Sequence, residues 1–114
     1  MKEKAEKKGS RAVRGSRTGR PIMVLLDLLG RRWMLRVLWE LREDPATFRE
    51  LRARCDEVSP TVLNARLKEL RAAGIVEASE EQGYGMTARG KELLTAFVPL
   101  LDFASKHRAV LRME

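Results

Sequence analysis

Two helix-start signals twelve residues apart restrict this chain more than any other feature. Thr47-Phe48-Arg49-Glu50 has the form of a capping box, in which the threonine hydroxyl and the glutamate carboxylate satisfy orphan amides at a helix start. Ser59-Pro60 supplies an N-cap and then a proline at the first helical position, where its missing N–H costs nothing. Between the two signals there is room only for a short helix, about residues 47 to 55, and a turn at Asp56-Glu57-Val58. The second helix is predicted to run to Ala73, with Gly74 as its C′ residue. Within it Leu63, Leu67 and Leu70 share one face at about 100° per residue, while Thr61, Asn64, Ala65 and Lys68 point away from that face. One side is core, and the other is offered to a partner.

The flanking segments supply the rest of a small domain. Ile22, Leu25, Leu26 and Leu29 repeat at helical spacing, and Trp33, Val37, Leu38 and Leu41 do so again after Gly30, giving two helices or one broken near Gly30. Asp44-Pro45 stops the second, because the residue before proline avoids the α region. Ile75 to Ser79 and Tyr84 to Met86 are strand candidates joined through Glu80, Glu81, Gln82 and Gly83, as in a hairpin. Thr87 can cap a last helix carrying Leu93, Leu94, Phe97, Leu100, Leu101 and Ala104 on one stripe, with a kink expected at Pro99. The expected class is α+β, mostly α: a winged helix-turn-helix with a two-stranded wing and a long C-terminal helix. That apolar terminal stripe reads as a dimer seam more readily than as internal core.

Charge is distributed unevenly along the 114 residues, whose net charge is +7. Residues 1–20 carry Lys2, Lys4, Lys7, Lys8, Arg11, Arg14, Arg17 and Arg20 against Glu3 and Glu6, a balance of +6, and the remainder carries +1. With interspersed Gly and Ser and no hydrophobic period, residues 1–20 read as a disordered basic arm and residues 21–114 as the domain. Such an arm attracts polyanions whatever their sequence, or it merely aids solubility. No apolar stretch reaches the roughly 18 residues of a membrane span, so no membrane partner is expected. One cysteine, Cys55, and one histidine, His107, exclude an internal disulfide and four-ligand zinc spacing, and neither metal nor other cofactor is expected. Cys55 reads as a buried thiol, His107 as a surface residue, and Trp33, Trp39 and Phe48 as core or dimer packing. No histidine lies near a nucleophile and no Gly-rich phosphate loop occurs, so enzyme activity is not expected. The expected location is the cytoplasm, at the nucleoid.

In a helix-turn-helix the second helix enters the major groove, and its first turns face base edges. Thr61 offers a hydroxyl, Asn64 an amide able to pair bidentately with adenine, and Lys68 an ammonium for guanine or phosphate. Ala65 is small enough for close approach, Ser59 stands at the helix start, and Arg49, Arg52 and Arg54 on the first helix could neutralise phosphates.

Leu28-Leu29-Gly30-Arg31-Arg32-Trp33, Val37-Leu38-Trp39-Glu40-Leu41, Phe48-Arg49-Glu50-Leu51, Ser59 to Leu70, Gly74-Ile75-Val76-Glu77 and Tyr84 to Gly90 occur in this order over about residues 20 to 104. In this the chain resembles the HxlR-type winged helix-turn-helix regulators, relatives of the MarR group. The resemblance implies a homodimeric bacterial transcription factor on double-stranded DNA, with recognition helices reading a pseudo-palindromic operator and terminal helices forming the dimer interface. Leu25, Leu29, Phe97, Leu100, Leu101 and Ala104 are the expected interface residues. Two departures stand out. Arg20 occupies the position of the family's common Cys before Pro21, which removes redox sensing by that thiol. The wing, usually longer and basic, is here short and acidic, Glu77-Ala78-Ser79-Glu80-Glu81-Gln82-Gly83, and is repelled by phosphate. The basic arm could take over its backbone contacts. A small-molecule effector in an apolar pocket at the dimer interface would add to this reading. The rival is a winged-helix protein-interaction module whose tail gives only non-specific nucleic-acid binding.

Overall fold

The computed structural model describes residues 19–112. Helix α1 (Pro21–Leu29) starts with proline after an extended Arg20 and ends at Gly30. Helix α2 (Met34–Glu40) follows a tight corner in which Trp33 holds a left-handed φ of 70°. A bulky side chain rarely tolerates that conformation, so the corner is strained and held by its surroundings. Helix α3 (Phe48–Arg54) opens with the expected box: Glu50 N donates to Thr47 Oγ1 at 3.1 Å, and Thr47 N donates to Glu50 Oε1 at 2.9 Å. The bond from Thr47 N to the ionised carboxylate is the main reason the Glu50 pKa lies below its ordinary value. Helix α4 (Pro60–Ala72) is capped by Ser59, whose hydroxyl accepts from Val62 N. It ends in Gly74 at φ 74°, the left-handed C′ position.

Strands β1 (Val76–Ser79) and β2 (Gly83–Met86) pair antiparallel, from Val76 opposite Met86 to Ser79 opposite Gly83. Ala46 adds an isolated bridge to this wing by exchanging two backbone hydrogen bonds with Tyr84, at 2.9 and 2.7 Å. Gly83 makes that approach feasible: its φ is 89°, and a Cβ there would collide with the Ala46 carbonyl. The wing is therefore fastened to the loop that precedes α3.

The C-terminal region departs from the expected single kinked helix. It forms α5 (Ala88–Ala96), α6 (Val98–Lys106) and α7 (Arg108–Leu111). Pro99 has no N–H for the Thr95 carbonyl, so α5 stops and α6 restarts with Pro99 in its first turn. Thr87 caps α5 by accepting from Gly90 N, and its hydroxyl donates to Gly74 O at 2.6 Å, joining α5 to the end of α4.

The core comprises Leu29, Met34, Val37, Leu38, Leu41, Ala46, Leu51, Cys55, Val58, Leu63, Leu67, Leu70, Ile75 and Val76. Every element from α1 to β1 contributes, and the expected apolar stripe of α4 lies at its centre. In contrast α6 and α7 contain no buried residue.

Candidate nucleic-acid interface

The path from α3 to α4 turns on Asp56 and Glu57, both left-handed at φ 58° and 59°. Two arginines hold this costly conformation in place. Arg52 Nε donates to Val58 O at 2.6 Å, and its Nη1 lies 3.3 Å from a Glu57 carboxylate oxygen. From α2, Arg36 reaches Glu40 Oε2 at 2.8 Å, Asp56 Oδ2 at 3.1 Å and Arg54 O at 2.7 Å. The Glu40 hydrogen bond is the main reason the guanidinium pKa is raised above its ordinary value. The angle between the two helices is thus fixed by apolar packing below and charged clamps above.

Beyond the turn, α4 shows solvent a stripe of Thr61, Asn64 and Lys68, all exposed and without a hydrogen bond or ion pair among the described residues. Ala65 sits half-buried between them. Arg71, one turn beyond Lys68, is exposed and extends the stripe; sequence reasoning missed it, although the same helical spacing marks it. On α3, Arg49 is exposed and similarly unengaged among the described residues. Ser59 uses its hydroxyl as the cap. Arg54, expected among the phosphate contacts, donates through Nη1 to Glu40 O at 3.0 Å and Asp44 O at 3.4 Å. Arg52, from the same expected row, bonds the backbone of the turn at Val58 O and Glu57 O. Glu77, Glu80 and Glu81 are exposed on the wing, which keeps its acidic character at the surface.

The remaining candidates separate cleanly. Cys55 is fully buried, and desolvation pushes its thiol pKa up, so it is protonated and shielded. His107 is exposed, its ring 4.7 Å from that of Phe103. Trp33 and Phe48 pack on the core, but Trp39 is exposed and stacks under the Arg42 guanidinium, 3.8 Å from the ring centroid. Among the expected dimer residues Leu29 lies in the core, Leu25 and Phe97 pack partly against it, and Leu100, Leu101 and Ala104 are exposed. Ile22, Val24, Leu26, Leu35, Val98, Phe103 and Val110 are further exposed apolar residues. The basic arm of residues 1–20 lies, except for Gly19 and Arg20, outside the described residues. No described helix is long and apolar enough to cross a membrane.

The sequence of residues 28–111, which spans these elements, matches the HxlR-like helix-turn-helix family. The chain belongs to the HxlR-like family. Among curated relatives, the uncharacterized HTH-type transcriptional regulator YvaP of Bacillus subtilis is 32% identical over 87 residues, 71% of this chain and 77% of YvaP. Among solved structures, quinone-bound YodB of B. subtilis superposes with a TM-score of 0.69 at 31% identity, covering 76% of this chain and 98% of YodB. An HxlR-family factor described as possible, from Thermoplasma volcanium, gives 0.65 at 28% identity, covering 75% of this chain and 83% of that one. The winged helix-turn-helix of a DNA-binding transcriptional regulator is therefore this chain's architecture, and regulation of transcription is the function its relatives share.

Proposed function

We propose that the chain is a sequence-specific transcriptional regulator that binds a pseudo-palindromic operator as a homodimer. The observation that carries this reading is the unengaged stripe Thr61, Asn64 and Lys68 on a helix whose other face is fixed in the core. Base edges reward groups that arrive unpaired and rigidly held, and Asn and Lys suit adenine and guanine respectively. Arg49 and Arg71 frame the stripe with charge suited to phosphate, and the arm of residues 1–20 adds sequence-independent attraction. Arg54, tied to backbone carbonyls, supports the geometry of α3 in place of a direct phosphate contact.

Homodimerisation is supported by the exposed apolar residues of α1 and α6, Ile22, Val24 and Leu26 with Val98, Leu100, Leu101 and Phe103. Surfaces of this kind mark interaction sites on small proteins, and a twofold dimer would place two copies of α4 on two half-sites. YodB has been solved with a quinone bound. In this chain Arg20 stands in the family's cysteine position and Cys55 is buried, so we assign no thiol-based sensing to it, and an effector would act without covalent capture. The acidic wing favours a second reading, in which the domain docks a protein partner and only the arm touches nucleic acid.

The test is selection of duplexes from a random library by the full chain. The proposal expects an enriched motif with two inverted half-sites separated by about one helical turn, 10 base pairs. Enrichment of no motif supports the interaction-module reading.

A further inference from the structure

One flank of α4, between the exposed stripe and the core, holds a charge cluster that neither apolar packing nor the unengaged stripe accounts for. Glu69 receives two guanidiniums: Arg31 Nη1 stands 3.0 Å from Oε2, Arg66 Nε 3.0 Å from Oε1, and Arg66 Nη2 3.4 Å from Oε2. Arg66 also donates through Nη1 to Arg32 O at 3.2 Å. Arg31 and Arg32 belong to the corner between α1 and α2, the one strained by Trp33.

The cluster is largely withdrawn from water, with side-chain exposures of 17% for Arg66, 27% for Glu69 and 31% for Arg31. Arg66 Nε and Glu69 Oε1 are both buried and stand 3.0 Å apart, an ion pair within α4. The links across to the corner are Arg31 to Glu69 and Arg66 Nη1 to Arg32 O, and their lengths depend on how α4 is rolled and advanced against it.

Leucines 63, 67 and 70 fix which face of α4 turns inward, but burial has no preferred direction of its own and tolerates small changes of roll about that setting. Hydrogen bonds to base edges do not, because they weaken steeply with misalignment. We propose that Glu69 is a positioning residue for base readout: by pairing with Arg31 across the corner, and by holding Arg66 where it donates to Arg32 O, it fixes the roll of α4 against the α1–α2 corner. Through the same contacts the recognition helix is tied to α1, whose outer face is apolar and exposed at Ile22, Val24 and Leu26. A shift of α1, whatever covers that face, changes base reading through Glu69. This inference rests on the proposed reading of α4 as the base-contacting helix.

The experiment compares full-length wild type, Glu69→Gln and Arg31→Met on two probes, a duplex selected by the wild-type chain from a random library and a shuffled duplex of equal length, with thermal unfolding recorded alongside. The expected result is a roughly tenfold fall in the ratio of selected to shuffled affinity for both variants, a coupling typical of groups in one network. Shuffled-duplex affinity should stay within about twofold, since phosphate attraction is insensitive to helix roll. Arg31→Lys, which keeps the charge, should recover part of the ratio. A role confined to stability would lower the unfolding temperature and leave the ratio intact. An unchanged ratio, or equal losses on both duplexes, overturns the inference. If Glu69→Gln does not fold, Arg31→Met decides alone. Should the wild type itself select no sequence, the reading of α4 fails and the inference falls with it.

Discussion

Asn64 projects its carboxamide from the middle of the exposed face of α4 with nothing to bind among the described residues. Replacing it by alanine removes one bidentate partner and leaves the fold alone, so affinity for the selected duplex should drop by about 1–3 kcal/mol and affinity for a shuffled duplex hardly at all. Competition binding on both duplexes checks this, and equal losses would remove Asn64 from base reading. Cys55 leads to the opposite expectation. A buried thiol with a raised pKa is a poor nucleophile, so an alkylating reagent at neutral pH should label the native chain far more slowly than the urea-unfolded chain. Equal labelling rates would contradict the burial. Both residue types were legible in the sequence from helical spacing, whereas Arg52 and Arg54 were not. Their spacing on α3 resembles a row of phosphate contacts, and only the fold reveals backbone carbonyls within reach of each guanidinium.

The capping box is where local sequence dictates an element most directly. Thr47→Ala should cost about 0.5–2 kcal/mol of stability, measured by urea unfolding at constant slope. The pH dependence of the box follows from the lowered pKa of Glu50. A carboxylate whose folded pKa is depressed contributes stability above its unfolded pKa, ordinarily 4.5, and loses that contribution as pH falls through the lower folded value. The stability difference between wild type and Glu50→Gln should therefore shrink on acidification below that range, and a difference that grew would reverse the sign. Elements bounded by such signals, α3, α4 and the wing, sit close to where the sequence predicts them. The terminal helix does not, because periodicity continues through Pro99 while the backbone cannot: the same leucine spacing suits a kinked helix or two separate ones. Trp39 keeps the period of its neighbours too, yet stays exposed, since spacing does not reveal that Arg42 supplies its partner.

At the scale of the whole molecule, exposed apolar residues crowd the terminal helices while charge crowds the N-terminal arm. If the terminal helices form the dimer seam, replacing Leu101 with Asp should convert the dimer to monomer in sedimentation and weaken binding to a two-half-site duplex, with the single-half-site affinity little changed. A variant sedimenting as wild type would place the seam elsewhere. Helical spacing marks these helices as partly unpartnered, and Leu29, expected at the seam, packs in the core, which spacing alone does not distinguish. Deleting residues 1–18 should weaken binding to every duplex and flatten its salt dependence, since each lost phosphate contact removes close to one unit of slope. If α4 reads sequence, titration of the full chain into its selected duplex and a shuffled one at two salt concentrations should give an affinity ratio that survives added salt. Equal binding to both duplexes that disappears with salt would show that α4 does not read bases and that phosphate attraction alone is at work.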